Sequence, residues 1–343
     1  MRHLLNTLYV TTEDVYLSVK GENVLVKNHD TMIASVPLHT LECITCFNYG
    51  GASPALMGKC MEHGIELSFH RPNGQFLARL AGEERGNVLL RQAQYRIAND
   101  EEASRIIAKK FIAGKAYNAR WVLERAIRDH PDRVPVNKMK CASRSIADVL
   151  IALENCKTLD ELRGQEGTAA QLYFDCFDHL ILQQKYAFQF DGRVRRPPTD
   201  PVNSMLSFAY TLLMGNCAAA LESVGLDPYV GFLHRAHSGR KSLACDLMEE
   251  LRAVYADRFV LTCINKKIIM EKHFEPQEDG SVYLTSEGRR IFLRGWQEQK
   301  YEELRHPVLK EQIPWGLVPY VQAQFLARTI RGEMDFYPPF LWK

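Results

Sequence analysis

"NTLYVTTEDVYLSVKGENVLVKNHDTMIASVPLHTLECITCF", residues 6–47, is the stretch that decides the class of the fold. Its Val, Ile, Thr, Leu and Tyr residues stand in short runs, which turn sequences such as KGEN and KNHD interrupt every eight to twelve residues. This pattern predicts short strands. One helix follows, with Ser53 as its N-cap, Pro54 in its first turn and Gly64 just past its end. Two more strands are predicted over residues 65–80, around the turn sequence PNG.

From about Arg91 onward, the apolar residues recur at intervals of three and four, which indicates helices. The change of period predicts an α+β protein. Its small β-rich N-terminal domain is expected to span residues 1–88, and its larger all-α C-terminal domain residues 89–343.

Composition is typical of a folded protein, with 46% hydrophobic and 24% charged residues. Because the formal net charge is only +2, any binding of nucleic acid must depend on a local basic surface. No apolar run resembles a signal peptide or a membrane span, so a cytoplasmic protein without membrane contact is expected. Nine scattered cysteines indicate reduced thiols, and the single CxxC pair of Cys43 and Cys46 is interpreted as strand packing.

A second informative stretch is GFLHRAHSGRKSLACDLMEELR, which begins at Gly231. If one helix runs from about Lys241 to Asp257, Asp246 and Glu249 share a flank, whereas Glu250 points about 100° away from Glu249. Two like charges three residues apart are unfavourable unless a cation lies between them. A solvated acidic face is the alternative interpretation.

Glu166 stands in line with an apolar series of residues 170, 173, 177 and 180, so partial burial of its carboxylate is expected. Its neighbours, from Gly167 to Ala170, are small and leave space for an ion and a phosphate. The alternative is an acid that simply favours the early turns of its helix, which Thr158 caps.

Glu166, His234 and a carboxylate from Asp246 or Glu249 would form a mixed oxygen and nitrogen ligand set. Such a set suits Mn²⁺ or Mg²⁺ better than structural zinc, which would more often use cysteines. An ion of this kind serves phosphoryl chemistry.

The stretch GLDPYVGFLHRAHSGRKSLACDLMEELR, residues 225–252, resembles the signature of the integrase family of CRISPR adaptation, a family of DNA endonucleases. It departs from that signature only at Leu251, where the family usually has Phe. A second landmark of the family, a Glu-Gly pair followed by small residues and an aromatic, resembles EGTAAQLYF at residues 166–174. The resemblance covers the full length, and the version of the family that it suggests is that of subtype I-C systems.

The resemblance implies that Glu166, His234 and Glu249 are catalytic metal ligands, with Asp246 beside them as an accessory acid or alternative ligand. It implies attack of a DNA 3′-hydroxyl on a phosphodiester of the CRISPR array, and hydrolysis when water attacks. It further implies double-stranded DNA as partner, in the form of protospacer and CRISPR repeat. A homodimer through the β-rich domain and a small second adaptation protein are the protein partners that it implies.

Several basic residues are candidates for contacts with DNA phosphates, which position a duplex without reading its sequence. They are Arg240, Arg193, Arg195, Arg196, Lys266 and Lys267. Each has a structural alternative, either a solvated loop or an internal ion pair, and His237 is interpreted as a loop histidine. Two other functions stay open at this point: a scaffold that binds DNA without chemistry, and a metal phosphohydrolase that acts on small nucleotides.

Overall fold

The computed structural model describes residues 6–29, 31–71, 76–81, 87–194, 197–235 and 237–343. The chain folds into two compact units. The first consists of Met1–Glu84 and Tyr283–Glu302, and the second of Arg85–Val282 and Glu303–Lys343. Strands dominate the first unit and helices dominate the second, so the predicted α+β class is confirmed. The second unit is not all-α, however, because it also contains the short strands Phe274–Pro276, Glu303–Arg305 and Gln312–Pro314.

The strands and helices are numbered in chain order. Strands β1 to β11 are Asn6–Val10, Val15–Lys20, Asn23–Asn28, Thr31–Pro37, Leu41–Cys46, Glu66–His70, Phe76–Arg79, Phe274–Pro276, Val282–Leu284, Glu303–Arg305 and Gln312–Pro314. Helices α1 to α10 are Pro54–His63, Val88–Asn99, Glu101–Asp129, Val136–Ala152, Leu159–Phe174, Pro201–Ser223, Ser242–Glu249, Arg258–Asn265, Ser286–Tyr301 and Val318–Ile330.

The first unit contains two sheets. One has the strand order β1-β5-β6-β7, in which β5 pairs in parallel with both β1 and β6, and β7 is antiparallel to β6. The other is the antiparallel sheet β2-β3-β4. Helix α1 connects β5 to β6, and its predicted caps are confirmed: Ser53 accepts from the Leu56 N–H, and Gly64 adopts a φ of 67°. Leu17, Ile44 and Leu67 form part of the hydrophobic core of the first unit.

Helix α9 returns to this unit from far along the chain, beyond the single boundary that the periodicity placed at residue 88. Phe292, Trp296 and Lys300 on this helix are fully buried. The Lys300 ammonium lies 2.8 Å from a carboxylate oxygen of Glu42. The apolar face of α9 must be buried against another part of the protein. The spacing of its apolar residues predicts that face but does not specify the element against which it packs, so the sequence did not predict the return.

The second unit is organised around α3, which packs against α4, α5 and α7. The prediction of a single helix from Lys241 to Asp257 is wrong. The structure instead has α7, a π-helical segment over Arg252–Asp257, and then α8. Such π turns insert one residue into a helix, and they shift the faces that follow.

Helix α6 is the one helix of the described residues that is long and apolar enough to cross a membrane. More than half of its apolar window is buried inside the protein. Val202, Met205 and Leu213, for example, are fully buried. These contacts are typical of the core helix of a folded protein.

The C-terminal segment packs on the second unit, to which it belongs. Tyr337 and Phe340 are buried. Asn118 of α3 donates to the Phe340 carbonyl at 2.7 Å and accepts from the Trp342 N–H at 2.9 Å. Gly114 lies where α3 approaches Glu250 most closely, because a Cβ there would lie 2.8 Å from the Cβ of Glu250, and it would lie 3.3 Å from Pro339 of the C-terminal segment.

Acidification is expected to loosen the packing around His306, which lies 5.4 Å from the Phe340 ring. Burial lowers the pKa of His306 from 6.5 to about 4, and its Nδ1 accepts from the N–H groups of Val308 and Leu309. Between these pH values the unfolded chain binds a proton that the folded chain does not. The free energy of unfolding should therefore fall as the pH drops from 6.5 to 4, by up to about 3 kcal/mol.

Urea unfolding at several pH values measures this dependence. His306→Asn retains an acceptor near the Nδ1 position but does not titrate in this range. Its stability should be lower at pH 7 and less dependent on pH. If the free energy of unfolding fell equally with pH in both proteins, another group would be the cause of the pH dependence.

Candidate functional site

Asp246 of α7 organises the loop that carries His234. The side chain of Asp246 is fully buried. Its Oδ2 accepts from the N–H groups of Phe232 at 2.6 Å and Leu233 at 3.0 Å, and its Oδ1 accepts from the His234 N–H at 3.0 Å. Three backbone donors stabilise an ionised carboxylate. This acidic flank is therefore interior and not solvated.

Gly231 lies where this loop approaches α7 most closely. A Cβ on Gly231 would be 2.7 Å from Oδ2 of Asp246 and 2.8 Å from the carbonyl carbon of Ser242. Since real Cβ atoms do not approach so closely, only glycine fits without a shift of the loop or the helix.

The imidazole of His234 is held in one orientation. Its Nδ1 lies 2.6 Å from Oδ1 of Asp246. Because the carboxylate already accepts three N–H groups, the ring supplies the proton of this bond. The other ring nitrogen, Nε2, lies 4.0 Å from Oε1 of Glu249. The buried carboxylate thus orients the ring so that Nε2 is the nitrogen directed toward Glu249.

Glu249 is the last residue of α7 and is only 3% exposed. Lys115 Nζ lies 2.7 Å from its Oε2, and an Arg252 guanidinium nitrogen lies 2.8 Å from its Oε1. Burial raises the pKa of Glu249, but Arg252 and Lys115 outweigh burial and lower it to about 2. Glu249 is therefore an anion at neutral pH.

Arg252 is anchored on its other side by a polar cluster in the core. Its guanidinium lies 4.9 Å from the centre of the Tyr210 ring. The Tyr210 hydroxyl donates to Asp257 at 2.6 Å. Burial raises the pKa of Asp257 to about 6. These contacts fix the orientation of the arginine toward Glu249.

Glu166 faces the same place from α5, with its side chain 26% exposed. Its carboxylate forms an ion pair with the Lys115 ammonium. The expected open space is present, because a Cβ on Gly167 would meet no atom within 4 Å. Arg163 ties this helix to the histidine loop, since it donates to the Leu233 carbonyl at 2.8 and 3.0 Å.

The carboxylates of Glu166 and Glu249 therefore border the Lys115 ammonium, and the imidazole of His234 lies on the side of the other carboxylate oxygen of Glu249. Among the residues that the structure describes, no three His, Cys, Asp or Glu side chains converge closely enough to hold a metal ion. In this arrangement the Lys115 ammonium lies between Glu166 and Glu249. A cation in this position shows that the site favours positive charge. With Nε2 of His234 beside them, the oxygen and nitrogen donors fit Mg²⁺ or Mn²⁺.

Glu250 turns away from the site, as the helical wheel predicts. Its carboxylate accepts from the Tyr337 hydroxyl, from Gln322 at 2.9 Å and from the Phe340 N–H at 2.8 Å. Burial raises the pKa of Glu250 to about 7. The two adjacent glutamates thus serve different parts of the molecule.

The candidate DNA-binding residues are dispersed, and Arg195 and Arg196 lie outside the described residues. Arg193 is engaged internally, with hydrogen bonds to Asn203 at 2.8 Å and Ser207 at 3.0 Å. Arg240 donates to the Arg235 carbonyl and so braces the loop after His234. Lys266 and Lys267 are exposed at the end of α8. His237 is exposed too, and its Nδ1 contacts the carbonyl of the next residue at 2.9 Å.

Lys115 and Arg252 are site residues that the sequence analysis did not identify. Lys115 continues an apolar stripe of α3 that includes Ala108, Ile112 and Ala119, all buried. A charged residue in such a stripe is the signal that drew attention to Glu166, and it could have revealed Lys115. Arg252 lies within the recognised motif, but its spacing from Glu249 suggested no role beyond that of a neighbouring charge.

Comparisons with known proteins agree in both sequence and fold. The family model described as CRISPR associated protein Cas1 matches residues 8–298. The chain is 48% identical, over 347 aligned residues, to CRISPR-associated endonuclease Cas1 2 of Rhodospirillum rubrum. It is 43% identical, over 343 residues, to CRISPR-associated endonuclease Cas1 1 of Chlorobaculum tepidum. Each alignment covers 100% of this chain and 100% of the relative. A casposase bound to an integration product superposes with a TM-score of 0.84 at 25% identity, covering 98% of this chain and 93% of that chain.

Proposed function

Because the chain belongs to the family of CRISPR-associated Cas1 proteins, we propose that Glu166, His234 and Glu249 form its active centre. The protein is a metal-dependent DNA endonuclease and integrase of CRISPR adaptation. One observation carries the choice of residues: a largely buried ammonium lies between the carboxylates of Glu166 and Glu249, and Nε2 of His234 is directed toward Glu249.

We propose Mg²⁺ or Mn²⁺ as the ion, held by the carboxylate oxygens of Glu166 and Glu249 and by Nε2 of His234. When bound, such an ion polarises the phosphodiester, neutralises charge in an in-line displacement and activates a hydroxyl or water. Asp246 acts through the histidine, whose ring it holds by Nδ1. It is thus a positioning residue in this proposal and not a ligand.

The substrate is double-stranded DNA, as protospacer and CRISPR repeat. In integration, a DNA 3′-hydroxyl oxygen bonds to the phosphorus of an array phosphodiester while the bond to the leaving oxygen breaks. Water in place of the hydroxyl gives hydrolysis. The exposed Lys266 and Lys267 are proposed as phosphate contacts. Arg193 and Arg240 act in this proposal by shaping their loops, because their guanidinium groups already have internal partners.

The proposed assembly is a homodimer formed through the β-rich unit, joined by the small second adaptation protein of the system. The support for both is the family to which the chain belongs. The proposed location is the cytoplasm, where a CRISPR array is accessible.

Strand joining tests the proposed function. Purified protein is mixed with a short duplex bearing free 3′-hydroxyls and a supercoiled plasmid that carries a repeat, with Mn²⁺ or with a chelator, and with or without the second adaptation protein. We expect joining that requires the ion and that duplex DNA, but not mononucleotides, inhibits. DNA binding without joining under all conditions would favour the scaffold function, and inhibition by mononucleotides would favour a nucleotide phosphohydrolase.

A further inference from the structure

We propose that Lys115 is an internal competitor of the divalent ion. Its ammonium holds Glu166 and Glu249 together when no ion is bound, and it leaves them when the ion binds. This inference rests on the proposed function, since it requires that these two carboxylates are metal ligands.

The geometry places one ammonium on both carboxylates. Lys115 Nζ lies 2.7 Å from Oε2 of Glu249 and forms an ion pair with Oε1 of Glu166. The lysine side chain is 12% exposed, so its charge is largely removed from water. These oxygens are the ones that an ion between the two residues would need. An ammonium and a metal ion cannot occupy the same space, so they exclude each other.

The charges around the site lead to the same conclusion. Glu166, Glu249 and Asp246 supply three negative charges, and Lys115 and Arg252 supply two positive charges. A divalent ion would add two more positive charges in a partly desolvated region, where repulsion between like charges is strong. Movement of one side-chain cation away from the carboxylates would relieve this repulsion.

Lys115 is the cation that can move. Arg252 is stacked on the Tyr210 ring at 4.9 Å, which fixes its planar guanidinium. Lysine carries a point charge on a flexible four-carbon stem. Because the Glu166 side chain is 26% exposed, the ammonium that pairs with it can turn toward solvent.

Calorimetric titration with Mn²⁺ of the full-length wild type and of Lys115→Met tests the proposal independently of DNA joining. We expect Mn²⁺ to bind Lys115→Met roughly tenfold or more tightly than the wild type, because the ion no longer displaces a cation. We also expect a lower Tm for the metal-free variant and a larger rise of its Tm with Mn²⁺. Lys115→Gln, which retains a hydrogen-bond donor without the charge, should change in the same direction and gives the measurement if Lys115→Met does not fold.

Lys109→Met is the matched control. Lys109 lies on the same helix and pairs with a glutamate, Glu154, at 2.7 Å. Its replacement should leave the affinity for Mn²⁺ unchanged. If the wild type binds Mn²⁺ and both Lys115 variants bind it equally tightly or more weakly, the proposed role of Lys115 is overturned. The proposed function would not be affected by that result. Absence of Mn²⁺ binding in every protein, including the wild type, would overturn both.

Discussion

Glu249→Gln is expected to reduce metal-dependent strand joining by roughly 10³-fold or more. The substitution retains the shape of the side chain but removes the charge that Lys115 and Arg252 surround. An amide is a poor ligand for a hard divalent ion, and its NH₂ group would face cationic donors. The rate of joining under saturating Mn²⁺ measures the effect, and the circular dichroism spectrum establishes that the variant folds.

Glu250→Gln is the control for this variant, because Glu250 is adjacent, equally buried and directed at the C-terminal segment. We expect joining close to that of the wild type, with a loss of stability of about 1–2 kcal/mol from the altered contacts with Tyr337 and Phe340. A large loss of joining in a folded Glu250→Gln would contradict the division of roles between the two glutamates. Full joining in Glu249→Gln would remove Glu249 from the active centre.

Asp246→Asn is expected to weaken both metal binding and joining by roughly 10-fold to 100-fold. Oδ2 of Asp246 accepts from the N–H groups of Phe232 and Leu233. An amide NH₂ in that position would place donors opposite donors, so the loop must shift. An amide oxygen opposite Nδ1 of His234 also stabilises the required tautomer less than a carboxylate does.

A double-mutant comparison separates positioning from general damage. If Asp246 acts through His234, its replacement should reduce the affinity for Mn²⁺ much less in a His234→Ala background than in the wild type. Equal reductions in the two backgrounds would indicate a role independent of the histidine. Thermal unfolding of each protein measures the accompanying loss of stability.

The predicted local features depend on residues that are close together in the chain. Ser53 and Thr158 are N-caps as predicted, because each side chain accepts from the N–H three residues later. Leu243, Leu247 and Leu251, which recur every four residues along the chain, are buried. The periodicity of a helix specifies these positions without any knowledge of the partner.

Other features require contacts between distant residues. The expected continuous helix from residue 241 to 257 is interrupted by a π-helical segment, although its sequence has no proline or glycine. The buried Tyr210 and Asp257 hydrogen bond joins that segment to α6. The spacing of apolar residues does not predict such a contact. Whether a helix contains the one extra residue of a π turn depends on tertiary packing.

By itself, the sequence determined the α+β class, the helix caps and the motif that carries Glu166, His234 and Glu249, because these depend on local spacing. Only the tertiary structure decided that Lys115, 51 residues before Glu166, lies between the carboxylates. It also decided that Asn118 holds a carbonyl 222 residues away. Charges and hydrogen bonds find their partners through the fold, and the strength of each interaction depends on a distance and a burial that spacing along the chain does not contain.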